Sequence, residues 1–218
     1  MTAVKFARRG KTFADIGTDH GHLPIYLYKK GIIKKAVAAD INPMPLESAR
    51  KNISLNGVSK GIDTVLSDGL CEIKDFAPDD IAIFGMGGEL ICRIIAEAPW
   101  TKNKNIRLIL QPMTKQDEVR KFLLDEGYSI VEETLSVDDG KIYQTLCAEY
   151  SGESEKYSPA ELVLGRSNIQ NGGELFKAFV LNRIEVYRAR LEGKRIAGLG
   201  DDEEKLIKEF EKILESIK

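Results

Sequence analysis

The chain has 218 residues, with 32 Lys and Arg against 34 Asp and Glu, for a formal net charge of −2. That balance excludes a global electrostatic footprint for nucleic acid, and no apolar run approaches the roughly 20 residues that span a bilayer. Two histidines and three scattered cysteines exclude a histidine-rich metal site and a thiolate zinc site, so no metal is expected.

The odd, widely spaced cysteines Cys71, Cys92 and Cys147 point to a reducing cytoplasm, and the first residues lack a signal-peptide layout. Strands are predicted at Thr12 to Ile16, Ala36 to Ile41, Thr64 to Ser67, Ile81 to Phe84 and Arg107 to Gln111. Their nearly continuous apolar runs suit a parallel sheet buried on both faces. Helices are predicted near 23–31, 43–56, 88–97 and 115–126, with Pro43 and Pro45 at a tolerated helix entry and Gly127 at a C-cap. Segments 129–137 and 141–149 read as consecutive strands joined by the turn Asp138-Asp139-Gly140. Five parallel strands and a terminal hairpin make a mostly parallel seven-stranded α/β sheet. This is the Rossmann-like order of class I methyltransferases, in which the last strand inserts antiparallel.

Residues 1–150 are expected to form the catalytic domain and the polar stretch 151–173 a linker. Residues 174–218 are expected as a coiled-coil-like helical hairpin. Phe176, Phe179, Val180, Ile184, Tyr187 and Leu191 form one apolar stripe; Leu206, Ile207, Phe210, Ile213, Leu214 and Ile217 form the other. Gly198 and Gly200 separate them, and Asp201 with Glu204 resembles a capping box.

Sites in open α/β sheets lie at the carboxyl ends of the strands. Here those ends deliver Asp15, Gly17, Thr18 and Asp19; Asp40 and Asn42; Asp68 and Gly69; Gly85 to Gly88; and Gln111 with Pro112. Glycines in the turn 14–21 let a ligand approach the backbone. Asp40, roughly 20 residues on, stands where a ribose-hydroxyl acceptor belongs. Asp19 occupies the second-glycine place of a dinucleotide fingerprint, where a carboxylate would repel a pyrophosphate. S-adenosylmethionine, cationic and without phosphate, suits this acidic turn by Coulomb attraction. A tight βα turn without a ligand is the plainer alternative. Asp68 is either an adenine reader or a helix cap. The glycines at 85, 87 and 88 leave room for a planar ring, or serve a tight turn. The Asn/Asp-Pro-Pro-Tyr motif of many exocyclic-amine methyltransferases is absent.

Five segments carry a family resemblance: Ala14 to Pro24, Ser67 to Leu70, Gly85 to Gly88, Leu108 to Pro112, and Asp139 to Tyr143. Through them the chain resembles the bacterial tRNA (adenine-N1)-methyltransferase family that modifies position 22. The resemblance covers most of the chain. It implies a Rossmann-like catalytic domain, S-adenosylmethionine as donor, tRNA as partner, a helical appendage that helps hold the tRNA, and a catalytic role for Asp19. Two departures stand out. Met113 follows Gln-Pro where the family tends to have asparagine, and the chain begins only a few residues before the first strand.

On this reading Asp19 accepts from the target adenine's N6 amine and stabilises the cation formed at the base. Asp15, Gly17, Thr18, Gly21, Asp40, Ile41, Asp68, Gly69, Gly85, Met86 and Gly87 form the donor side of the crevice. Gly88, Gln111 and Pro112 form the substrate side. Two basic clusters could meet phosphate: Lys5, Arg8, Arg9 and Lys11, and Arg183, Arg188, Arg190, Lys194 and Arg195. From these, Arg8, Arg9 and Arg188 are taken as tRNA contacts. Methylation of a small molecule or protein, or donor binding without turnover, are the competing functions. The sequence does not give an oligomeric state.

Overall fold

The computed structural model describes residues 3–195 and 201–217. In chain order the elements are α1 (Ala3–Phe6), β1 (Thr12–Ile16), α2 (His22–Lys29), β2 (Lys35–Asp40), α3 (Pro43–Leu55), β3 (Ile62–Leu66), β4 (Asp80–Gly87), α4 (Gly88–Ala96), β5 (Arg107–Thr114) and α5 (Gln116–Asp125). They continue as β6 (Tyr128–Asp138), β7 (Lys141–Tyr150), α6 (Pro159–Leu164), α7 (Arg166–Asn171), α8 (Glu174–Arg195) and α9 (Asp201–Ser216). The sheet has seven strands in the order β3-β2-β1-β4-β5-β7-β6. β1 to β5 pair in parallel, and β7 inserts antiparallel beside β5, with Arg107 opposite Glu149 and Leu110 opposite Leu146. This is the expected Rossmann-like methyltransferase sheet. Its strands are buried because helices cover them: Phe13, Ala36, Ala82, Ile109 and Cys147 pack with Leu27, Ala49 and Ile53.

Two strands run further than their apolar cores. β4 extends through Gly87 and β5 through Thr114, because Met86 pairs with Pro112 and Gly87 with Thr114 across two register shifts. The glycines at 85 and 87 are therefore a bulged strand end, with Gly85 at φ 74, and the chain turns into α4 only afterwards.

The described residues form two compact units, Met1–Glu132 with Thr145–Glu155, and Glu133–Gln144 with Lys156–Lys218. The second unit has its own core. Ala160, Val163 and Leu164 of α6 join Phe176, Val180 and Ile184 of α8 and Ile207 and Phe210 of α9. Tyr187 meets Phe210 edge to face, 5.4 Å between centroids. Part of the stretch expected as linker thus contributes α6 and α7. α6 starts at a complete capping box: Ser158 accepts from the Glu161 N–H, and Glu161 accepts from the Ser158 N–H. Gly198 and Gly200 lie outside the described residues, as do the side chains of Lys194, Arg195 and Asp201.

Candidate active site

The five parallel strands bring their carboxyl ends to one edge of the sheet. After β1 the chain is pinned to β2, since the N–H groups of Gly17 and Thr18 both donate to the Ala39 carbonyl at 2.9 Å. Gly17 sits at φ 72, and a Cβ there would lie 2.3 Å from Cε of Met86. The left-handed backbone favours glycine here, and a side chain would also have to displace the flexible end of Met86 on the β4 bulge. Gly21, at φ 69, opens α2, and a Cβ there would lie 3.3 Å from Cβ of Ala49.

The same turn carries two carboxylates in different environments, Asp15 before Gly17 and Asp19 after it. Asp15 is buried, and its one side-chain partner among the described residues is the Thr18 hydroxyl, which donates at 2.6 Å. Burial pushes its carboxyl up to about 6, against the Thr18 hydrogen bond, and the nearby charge of Asp19 adds to the rise. Among the described residues no lysine or arginine pairs with it. Asp19 is the opposite case, with its side chain 86% exposed and Nε2 of His20 at 3.1 Å from Oδ1. His20 has a left-handed backbone, φ 59, held by Asn52 of α3, whose amide donates to the His20 carbonyl at 3.0 Å.

The folded chain holds the Asp15 proton up to about pH 6, whereas an unfolded chain releases it near 3.8. Folding is therefore penalised progressively as pH rises from about 4 to about 6, the penalty being complete above 6 and absent below about pH 4. Asp15→Asn is expected to stabilise the free protein at pH 7.5 by on the order of 2–3 kcal/mol. The gain should vanish on acidification to about pH 4. Urea unfolding at the two pH values checks this; a pH-independent difference would contradict it.

After β2, Oδ1 of Asp40 accepts from the Asn42 N–H at 2.7 Å, which leaves Oδ2 open, and Ile41 is exposed beside it. After β3, buried Ser67 closes the loop by donating to the Gly69 carbonyl and accepting from the Glu72 N–H. Asp68 caps no α-helix, since turns follow it. Its Oδ1 instead accepts from Nη2 of Arg93 on α4 at 3.2 Å. Gly69 (φ 57) presses on Ile94. A Cβ on Gly85 would meet nothing within 4 Å, so the space over the β4 bulge is open. Gln111 and Pro112 face the bulge across the register, and the Gln116 side chain holds the Pro112 carbonyl at 3.0 Å. Beyond them Lys115, left-handed at φ 55, pairs with Glu89 and Glu118. None of the roles of His20, Asn52, Arg93 and Lys115 was legible beforehand. Left-handed non-glycine residues and ion pairs across 25 positions leave no local sequence signal.

Four residues expected on the substrate side have these surroundings in the structure. Gly88 offers no open surface: it is buried at the start of α4, and a Cβ would lie 2.7 Å from the Thr114 carbonyl and 2.8 Å from that of Lys115. Its glycine serves packing of α4 against the end of β5. Arg8 is not free for phosphate and stands at the opposite edge of the sheet. Its Nε donates to Oδ1 of Asp80 at 2.6 Å, and its Nη2 to the carbonyls of Asp79 and Asn105, at the starts of β4 and β5. Arg9 is exposed in the adjacent turn, on that same far edge, while Lys5 pairs with Glu132 and Lys11 with Asp79. Arg188 is engaged by Glu211 of α9 at 2.6 Å.

The donor side fits a cationic adenosine. A buried carboxylate without a protein cation matches a ligand that brings its own positive charge. Among the described residues Asp40 and Asp68 each keep one oxygen uncommitted, and the bulge leaves a glycine-floored space. Among the described residues no group of three His, Cys, Asp or Glu could hold a metal ion. No described helix is long and apolar enough to cross a membrane.

Comparison with known proteins agrees with this geometry. A family described as "Methyltransferase domain" matches residues 1–146. The tRNA (adenine(22)-N(1))-methyltransferase of Bacillus subtilis is 34% identical over 165 residues, 76% of this chain and 69% of that protein. A Streptococcus pneumoniae protein solved in complex with S-adenosyl-L-methionine superposes with a TM-score of 0.85 at 32% identity, covering 96% of each chain. Mycoplasma capricolum TrmK, solved with S-adenosyl-homocysteine, gives 0.83 at 26% identity, covering 100% of this chain and 96% of that one. The chain belongs to the tRNA (adenine(22)-N(1))-methyltransferase family.

Proposed function

We propose that this chain methylates N1 of adenine 22 in tRNA, with S-adenosylmethionine as methyl donor. The observation that carries the chemistry is the pair of carboxylates on one turn, Asp15 buried and Asp19 open to solvent. The donor supplies an electrophilic methyl on a sulfonium. Asp15 and the Gly17 turn would hold its cationic end, Asp40 its ribose hydroxyls and Asp68 its adenine. Adenine N1 has an in-plane lone pair and needs no base to begin attack, so the protein's task is alignment and electrostatics. The target base leaves its stack to enter the crevice. Asp19 accepts from its N6 amine and faces the positive charge that the base acquires. Supplying purified chain with labelled donor and a mixture of RNA, protein and small-molecule fractions tests the substrate class. Label in the tRNA fraction supports the reading; label confined to another fraction rejects it.

With a net charge of −2, attraction to tRNA has to be local. On α8, Arg190 lies exposed over the Tyr187 ring at 4.8 Å, and among the described residues it pairs with no acid. Arg183 is half-buried over Phe179 at 5.5 Å, its guanidinium held below the usual arginine range by burial and by Arg190. Of the three arginines of α8 whose side chains are described, these two, rather than the paired Arg188, are suited to phosphate. Arg190→Ala is expected to reduce the slope of log affinity against log salt by about one, while Arg188→Ala changes it less. Filter binding over a salt series checks both, and equal slopes for all three proteins would remove Arg190 and Arg188 from the interface.

A further inference from the structure

We propose that Arg93 is a positioning residue that presents the Asp68 carboxylate to the donor's adenine, and so makes the enzyme selective for an adenine over a 6-oxopurine. The inference rests on the reading of Asp68 as the adenine acceptor. Two consecutive residues after β3 are fixed to α4. Gly69 approaches so closely that a Cβ would lie 2.8 Å from Cγ1 of Ile94, and Asp68 accepts from Arg93 at 3.2 Å. Among the described residues Arg93 is the one side-chain donor to Asp68. Arg93 is itself held from the next turn of α4, where Nη1 donates to Oε2 of Glu97 at 3.1 Å. The relay Glu97–Arg93–Asp68 therefore ends on one oxygen, Oδ1, and fixes the direction of the other.

As a contribution to folding this pair counts for little, because Arg93 and Asp68 are 45% and 49% exposed. Its value lies in orientation. A carboxylate accepts only, so a fixed Oδ2 rewards an amine at the purine 6 position and faces the lone pairs of a carbonyl oxygen there. The planar guanidinium fork holds such a direction better than a point-charge ammonium.

The test uses the full-length chain and calorimetric titration with S-adenosylhomocysteine and S-inosylhomocysteine, which differ by amine against carbonyl oxygen. The unaltered protein should prefer the adenine ligand by about 10–100-fold. Arg93→Gln should reduce that ratio to about threefold or less through loss of affinity for the adenine ligand, with the inosine ligand little changed. Arg93→Lys should recover part of the ratio. A ratio unchanged in Arg93→Gln, or both ligands weakened equally, overturns the inference. Asp68→Ala separates the two layers. If it keeps the full ratio, the reading of Asp68 itself fails. If it abolishes the ratio while Arg93→Gln does not, only the role of Arg93 fails.

Discussion

Asp19→Ala is expected to lower kcat by about 10²–10³-fold while donor affinity changes by less than about threefold. The asymmetry follows from where the two carboxylates of the first turn stand. Asp15 is buried and oriented by Thr18, so its charge acts on what binds inside the turn. Asp19 projects outward, 86% exposed, with His20 as its one side-chain partner among the described residues. A carboxylate at the open side interacts little with a donor held by the glycine floor. It meets the base that arrives from solvent and becomes cationic as the methyl is transferred. Single-turnover kinetics on tRNA, paired with calorimetry for the donor, separates the two effects. Near-normal single-turnover rates would show that the charge of Asp19 does not face the reacting base. A large loss of donor affinity would show that it acts in donor binding.

Asp80→Ala should be the most destabilising of the substitutions considered, by about 2–4 kcal/mol, or roughly 6–12 °C in Tm for a chain of this size. The Asp80 side chain is fully buried and accepts from both the backbone N–H of Arg8, at 2.7 Å, and its Nε, at 2.6 Å. Burial holds its carboxyl above the usual range in spite of Arg8. The pair is therefore a tie between the start of the chain and the starts of β4 and β5 more than a source of net stability. Removing one partner leaves the other without compensation for lost hydration. The tie lies at the amino edge of the strands, so donor affinity at a temperature where the variant is folded should be unchanged. Arg8→Ala should lower Tm without altering the salt dependence of tRNA binding. A flattened salt dependence at unchanged Tm would return Arg8 to the RNA interface.

The sequence carried the sheet well because its strands are buried on both faces, and continuous apolar runs such as Ala36 to Ile41 and Arg107 to Gln111 leave little ambiguity. The β4 end was less legible. Three glycines in four residues read as a turn, and only the partner strand reveals that the ladder continues through Met86 and Pro112. α6 was legible in principle, since Ser158-Pro159-Ala160-Glu161 has the spacing of a capping box, but the polar composition around it masked the signal. Charged residues were the least legible. Arg8 finds its partners 71 to 97 positions away and Arg188 finds Glu211 on the next helix, and no local pattern encodes such pairing. The strand-end rule fared better, because Asp15, Asp40 and Asp68 all come to the same edge of the sheet by topology alone.

The most direct measurement is nucleoside mass spectrometry of unmodified tRNA after incubation with this chain and isotopically labelled S-adenosylmethionine. A substrate carrying adenine at position 22 should yield labelled 1-methyladenosine, up to one per molecule, and the same tRNA with guanine at that position should yield none. Labelled N6-methyladenosine, label independent of position 22, or no transfer to tRNA would contradict the account.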